Sequence, residues 1–379
     1  MKKSICFFCT APITFQCFLK EHAIGLLNTY NVTLISNFEN YEIRNIPSSI
    51  KVHSVPFKRK ISLINDLYTL TKLYYLINKK KFDLTLSISP KAGLLVSIAS
   101  FMSFTPVRIH WFTGQVWANK TGPYKKFLMF LDWLIANLST NLLVDSLTQR
   151  EFLYKKKIIK KINADVLAYG SVSGVDTKRF VASKKIRSQV REKLSINEET
   201  KLLVFAGRLN KDKGIFDLIE AFTIIKRKGF PVKLLLIGPD EEKIIKKISD
   251  TENFLNSEII YLGPKYNIEY WLNGCDIFCL PSYREGFGNI LIEASALKLP
   301  IVASKIYGIE DAVLDKVTGL LFNAGNVNEL IKAIILLHKN DKLCKKLGDS
   351  GFERVNKKFT KTILNKAFFE YINSRFDQI

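Results

Sequence analysis

The sequence lacks any uninterrupted apolar run of the roughly 18 residues that a membrane-spanning helix requires. Residues 92–107 contain four hydroxyl side chains and Pro106, and residues 127–144 are broken by Asp132, Asn137 and Asn141. Any membrane contact is therefore expected to be peripheral. Lys2 and Lys3 precede only a short apolar stretch that ends in Thr10-Ala-Pro12, which reads as a first β-strand and not as a secretion signal. Cysteine is sparse as well, six in 379 residues at positions 6, 9, 17, 275, 279 and 344. That number does not make a disulfide framework in a chain of this length. Cys6 and Cys9 form a C-x-x-C, yet no second pair or histidine cluster at metal spacing accompanies it, and it lies in the apolar run from Ile5 to Cys9. Buried strand cysteines are expected. Internal repeats and low-complexity tracts are missing apart from lysine-rich runs, and acidic residues are few beside basic ones, 35 against 57.

What is present fits a packed α/β protein. Hydrophobic residues make up 47% and charged residues 24% of the chain, and 379 residues exceed one ordinary core. The formal net charge is +22, of which residues 1–170, with 23 Lys+Arg and 9 Asp+Glu, carry +14. A field of that sign draws in phosphates, nucleic acid or an anionic membrane. Short apolar runs alternate with helical patterns, the signature of parallel sheets built from βαβ units. Strands are expected at 4–9, 32–36, 51–55, 83–88, 108–112, 141–145 and 166–169, with helices notably at 61–79 and 124–138. The alternation restarts at Lys201, with strands at 202–206, 232–237, 259–262, 277–280, 301–303 and 319–322. The intervening Gly170-Ser-Val-Ser-Gly-Val-Asp176 is turn-rich and a charged stretch follows. The expected organisation is a domain over 1–170, a linker over 171–200, a second domain over 201–357, and a C-terminal helix over 358–379 that packs back toward the first domain. The wholly helical end of the pattern runs through 359–376.

Two motifs carry chemistry. In Glu285-Gly-Phe-Gly-Asn-Ile-Leu-Ile-Glu293, after the apolar run Asp276-Ile-Phe-Cys-Leu-Pro-Ser282, two glutamates stand eight residues apart around a glycine-rich turn. A helix beginning near Phe287 offers the amides of Gly288, Asn289 and Ile290 to a phosphate. Glu293 then lies one turn on, within reach of a ribose diol, and Glu285 lies on the loop where a sugar would sit. In Phe205-Ala-Gly-Arg208-Leu-Asn-Lys-Asp-Lys213-Gly214, Gly207 opens the loop and Arg208 and Lys213 bring two cations toward one pyrophosphate. Either motif alone is matched by a bland alternative, a surface loop or a helix cap. Both occur in one βαβ pattern, with Leu236-Ile-Gly238 between them.

With these residues the chain resembles the retaining GT-B glycosyltransferases of family 4, the glycosyl transferases group 1, of the kind that build bacterial surface polysaccharides such as O-antigen and capsule. The match covers nearly the whole chain and is most specific over 201–322. The resemblance implies two Rossmann-like β/α/β domains facing a cleft, the N-terminal one for the acceptor and the C-terminal one for a nucleotide-sugar. It implies that Arg208 and Lys213 hold the diphosphate, with Gly207 beside them in the donor site. By the same resemblance Glu285 meets the hydroxyls of the transferred sugar, the Asn289 and Ile290 amides meet the phosphate, Glu293 meets the ribose, and Gly286, Phe287 and Gly288 belong to the donor site. His110, at a strand end in Arg108-Ile-His110-Trp-Phe-Thr-Gly-Gln115, matches a family histidine that faces the sugar; a core histidine satisfied by backbone groups is the alternative. The run from Trp111 to Trp117 reads equally as an acceptor loop with exposed rings.

The implied activity is hexosyl or N-acetylhexosaminyl transfer from a nucleoside-diphosphate sugar to a glycan or polyprenyl-diphosphate-linked acceptor. It is expected in the cytoplasm, at the inner face of the cytoplasmic membrane. No Asp-x-Asp-like metal site stands at the expected loops, so metal independence and no cofactor are expected. Two departures from the family pattern stand out. Thr10-Ala-Pro-Ile-Thr-Phe-Gln16 replaces a Gly-Gly loop, and Tyr307-Gly-Ile-Glu-Asp311 stands where Gly-x-Pro-Glu is common, which leaves Asp311 without an assigned role. The basic tracts at 58–60, 79–81 and 155–161, interleaved with Phe57, Tyr74, Tyr75 and Phe82, read either as solvated helix ends or as a contact with anionic lipid. An epimerase or phosphorylase of the same fold is the rival within enzymes. A nucleic-acid-binding protein is motivated by charge alone and has no supporting motif.

Overall fold

A computed structural model describes residues 2–39, 41, 43–58, 61–160, 164–251 and 257–377. The chain folds into two compact units, Met1–Ser173 with Thr362–Ile379, and Gly174–Lys361. Each is built around an all-parallel sheet.

The first unit contains β1 (Ser4–Cys9), β2 (Asn31–Ser36), β3 (Lys51–Ser54), β4 (Leu84–Ile88), β5 (Val107–Phe112), β6 (Asn141–Val144) and β7 (Ala164–Val166) in the order 3-2-1-4-5-6-7. Phe7 pairs with Leu34 on one side and Leu86 on the other. Both faces of β1 are covered, so its residues from Ile5 on are apolar and alternate between two cores. Ile5, Phe7 and Cys9 pack with Leu19, Ala23 and Leu26 of the helical segment after β1 and with Leu364, Phe368 and Ile372 of the last helix, Lys361–Phe376. Cys6 and Phe8 face the opposite way, onto Leu73 and Ile77 of helix Leu63–Lys80 and Leu95, Val96 and Ala99 of helix Pro90–Met102. Burial raises both thiols, Cys9 to about 11, and neither is a thiolate near neutrality.

The second unit holds β8 (Lys201–Ala206), β9 (Val232–Ile237), β10 (Ile259–Gly263), β11 (Ile277–Leu280), β12 (Ile301–Ser304) and β13 (Gly319–Phe322) in the order 10-9-8-11-12-13. The order reverses beside β8, which pairs with β9 on one side and β11 on the other. At such a reversal the loops leaving the strand ends diverge and open a crevice.

Four sequence expectations change. Residues 174–200, expected within a linker, belong to the second unit. Their helix Lys184–Lys193 sends Arg187 and Arg191 onto Asp276 at 2.8 and 3.1 Å, and Asp276 also accepts the Leu202 amide at 2.7 Å. A largely buried carboxylate shared by two guanidiniums and a strand amide clamps this segment to the sheet. The seventh strand ends at Val166 and not at 169, because Ala168 takes φ 48° and turns the chain. The last helix, expected to run from 359, begins at Lys361, because after helix Asp341–Lys358 the Phe359 carbonyl accepts the Val175 amide at 2.7 Å and Thr360 bridges to Val175. Phe57 and Phe82, expected on a basic surface, lie in the core instead, while Tyr74 and Tyr75 are exposed. Of the basic tracts, Arg59, Lys60 and Lys161 lie outside the described residues.

Candidate functional site

The loops after β8, β9 and β11 meet at the strand reversal of the second unit. Leaving β8, Gly207 leads to Arg208, and the Asn210 side chain caps a short 3-10 turn at Lys211–Lys213 by accepting the Lys213 amide at 3.2 Å. Gly214 then takes φ 67° and begins helix Ile215–Arg227. A Cβ on Gly214 would stand 1.9 Å from the carbonyl oxygen of Pro281, so only glycine lets the β8 and β11 loops touch. Gly214→Ala is expected to destabilise the second unit by at least ~2 kcal/mol and to displace Lys213, measurable as a lower thermal midpoint.

That close approach sets up the central pair. Lys213 Nζ donates to Glu285 Oε1, and Ser282 Oγ donates to the same oxygen at 2.9 Å; both partners are largely buried. The β11 loop is tied down from two more directions. Tyr283 donates its hydroxyl to Asp217 at 2.7 Å, and Arg284 places two N–H groups on one oxygen of Asp212, at 2.7 and 2.9 Å. Gly286 is backed by Gly308, whose φ is 82° and whose absent Cβ would lie 2.4 Å from the Gly286 carbonyl oxygen. The Tyr307–Asp311 turn thus supports this loop, and Asp311 itself accepts Arg354 through its backbone carbonyl at 2.6 Å.

Helix Asn289–Ala296 starts two residues later than Phe287, after Gly288 at φ 77°, and has no side-chain cap. The helix dipole favours an anion at this end. Arg208, half-exposed, reaches Glu241 of the β9 loop at 3.1 Å, and Asn210 reaches the same carboxylate at 2.8 Å. Sequence reasoning missed Glu241. Its signal is the acidic run Asp240-Glu-Glu242 just after Gly238-Pro239, opposite a loop that carries an arginine.

Glu293, one turn into the helix, sits in a different environment. Burial pushes its carboxyl up from 4.5 to about 7; the charges of Arg179 and Lys361 pull it back and Glu269 adds to the rise. Arg179 pairs with Glu269 at 2.6 Å, and Asp176 accepts the Arg179 amide at 3.2 Å and Lys361 Nζ at 3.4 Å. The segment read as linker therefore supplies the cation beside Glu293. Because the folded state holds this proton more tightly than an unfolded chain, Glu293 lowers stability as pH rises from 4.5 through about 7. Glu293→Gln is expected to raise the melting temperature of the ligand-free protein at pH 8 by roughly 2–5 °C, with no gain at pH 4.

His110 belongs to the first unit. It is buried, neutral, and bonded through Nδ1 to Ser87 Oγ at 2.8 Å, with burial lowering it to about 3. Gly93 makes room for its ring, since a Cβ there would lie 2.3 Å from Cε1. It lines a narrow pocket with Ser89, Thr113, Gln115 and Asp132. Trp111 and Trp117, expected as exposed rings of an acceptor loop, are fully buried. Trp111 stacks on Phe368, and Trp117 donates Nε1 to Asp132 at 2.7 Å. The loop after β1 starts with Thr10, whose hydroxyl meets that of Ser89 at 2.8 Å.

The chain is similar to known glycosyltransferases. A family model described as glycosyl transferases group 1 matches residues 186–354. A capsular polysaccharide biosynthesis glycosyltransferase of Staphylococcus aureus, CapM, is 31% identical over 346 residues, covering 88% of this chain and 87% of its own. An Escherichia coli protein named UDP-Gal:alpha-D-GlcNAc-diphosphoundecaprenol alpha-1,3-galactosyltransferase is 26% identical over 351 residues, with 89% of each chain covered. Among solved structures, Anabaena Alr3699/HepE in complex with UDP and glucose superposes with a TM-score of 0.81 at 18% identity, over 98% of this chain and 99% of its own.

Proposed function

We propose a donor and an acceptor for this chain, which belongs to the glycosyl transferases group 1 family and is a glycosyltransferase of GT-B fold. The donor is a nucleoside-diphosphate sugar and the acceptor a glycan or polyprenyl-diphosphate-linked saccharide, joined with retention of anomeric configuration during surface-polysaccharide assembly at the cytoplasmic face of the membrane. The observation that carries this reading is the convergence of Arg208, Lys213, Glu285 and the N-terminus of helix Asn289–Ala296 at the strand reversal of one Rossmann-like unit. The names of the S. aureus and E. coli relatives and the UDP complex of the Anabaena structure support it.

In this reading the diphosphate lies over the N-terminus of helix Asn289–Ala296, with Arg208 and Lys213 on its oxygens, and Glu293 accepts from the ribose hydroxyls. Glu285 exchanges Lys213 for hydroxyls of the transferred sugar. The bond between the anomeric carbon and the phosphate oxygen breaks as the acceptor oxygen bonds the same face of that carbon. A departing phosphate oxygen takes the acceptor's proton, so no protein base is required. Arg208, Lys213 and the helix dipole stabilise the charge left on the diphosphate. We expect no metal to take part.

The test offers purified protein a panel of UDP-, GDP- and ADP-sugars, with and without membrane lipid extract and with and without EDTA. Release of one nucleotide, unaffected by EDTA, is expected. Silence across the panel, together with no thermal shift by any nucleoside diphosphate, would sink the reading.

A further inference from the structure

Helices Leu63–Lys80, Pro90–Met102 and Gly122–Leu138 pack side by side on one face of the first unit's sheet, and their outward surface is unusual for one facing water. Leu63–Lys80 buries only Thr69, Leu73 and Ile77. A second apolar stripe, Ile64, Leu67, Tyr68 and Tyr75, runs along its other side at helical spacing, with Ile64 88% exposed and Leu63 beside it 82% exposed. The middle helix ends in Phe101 and Met102, followed by Phe104, itself 88% exposed. Tyr124, Phe127, Phe130 and Trp133 form an exposed row on the third helix, where Phe130 and Trp133 stack. Exposed apolar residues scattered singly are ordinary; three adjacent helices carrying them together are not.

The charge on the same surface has one sign. Residues 84–131 contain no acidic side chain. The acids on these three helices, Asp66 and Asp132, are turned aside: Asp66 pairs with Lys91 at 2.7 Å, and Asp132 is buried and accepts Trp117. Burial raises Asp132 to about 6. The lysines remain outside, set among the rings. Lys72 lies over Tyr68 at 4.5 Å, Lys79 over Tyr75 at 5.7 Å, and Lys120 over Tyr124 at 6.0 Å. Lys80, Lys81 and Lys126 are exposed as well.

We propose that this three-helix face docks on an anionic lipid bilayer, inserting Leu63, Ile64, Leu67, Phe104, Phe127 and Phe130 to the depth of the headgroups while the lysines meet lipid phosphates. The chemistry selects this occupant. Apolar rings with only cationic neighbours match an interface that is apolar below and negative above, and Tyr and Trp suit the boundary between them. No helix among the described residues is long and apolar enough to cross a membrane, so the contact is made in the plane of the surface. The proposal rests on, and sharpens, the reading of a lipid-linked acceptor.

The test floats the full chain with phosphatidylcholine vesicles with or without phosphatidylglycerol, beside the double variants Ile64→Ser/Leu67→Ser and Phe127→Ser/Phe130→Ser. All these residues are solvent-exposed, so melting curves and nucleoside-diphosphate binding should match the parent. The parent is expected to float with the anionic vesicles, less so in high salt, and each double variant to bind at least ~10-fold more weakly. A parent that stays unbound, or variants that bind as the parent does, overturns the proposal. So does a parent dimer that the Phe127/Phe130 variant converts to monomer without any vesicle binding, since the face would then serve self-association. A parent that binds vesicles but no nucleoside diphosphate leaves the docking face standing and removes the donor reading instead.

Discussion

Glu285→Gln is expected to lower sugar transfer by roughly 100- to 1,000-fold while leaving the affinity for free nucleoside diphosphate unchanged or tighter. In the ligand-free site Glu285 neutralises Lys213 and is held by Ser282. Glutamine keeps the size of the side chain and the bond from Ser282, but removes the charge. Lys213 is then released to a diphosphate, so product binding does not suffer. The sugar meanwhile loses an anionic acceptor for its hydroxyls as positive charge builds on the anomeric carbon. Initial rates with the donor named by the panel, set beside calorimetric affinity for the matching nucleoside diphosphate, separate the two effects. Parallel loss of both would place Glu285 on the nucleotide and not on the sugar.

Arg208→Ala and Lys213→Ala are expected to act on the other side of the broken bond. Each should slow transfer by about 100-fold or more and also weaken nucleoside-diphosphate binding, because both cations face charge present in the product and growing in the transition state. Together they should cost less than the product of the two single losses, since both act on one diphosphate. Lys213→Ala also strands a largely buried Glu285 carboxylate, so a melting curve must accompany it. If nucleoside-diphosphate affinity is untouched in both variants, the diphosphate lies elsewhere.

The strands of the second unit fall within one residue of their expected positions, because short apolar runs bounded by turn residues mark them. The positions of Arg208, Lys213, Glu285 and Glu293 on loops and a helix start were legible for the same reason. Their partners were not. Lys213 meets Glu285 across 72 positions of sequence. Glu241 meets Arg208 across 33. Arg179 faces Glu293 from a segment whose charge and turns looked like a tether. Local periodicity carries no information about which distant side chains converge, and a charged helix such as Lys184–Lys193 looks solvated until Asp276 is known to lie beneath it. Trp111 and Trp117 misled for a related reason. Aromatic residues near polar ones read as a sugar-binding surface, whereas here Phe368 and Asp132 draw both rings inside.

The last helix bears on how the chain reaches this state during synthesis. Phe368 packs against Phe7, His22 and Trp111, and Leu364 and Ile372 complete the same core, so the first unit to leave the ribosome is the last to be finished. Residues 174–361 have their whole core in hand once they emerge, while residues 2–173 wait with part of an apolar sheet face uncovered until helix Lys361–Phe376 emerges. A nascent chain in that interval exposes a surface for holdase chaperones. A fragment cut at residue 173 would carry the same defect permanently.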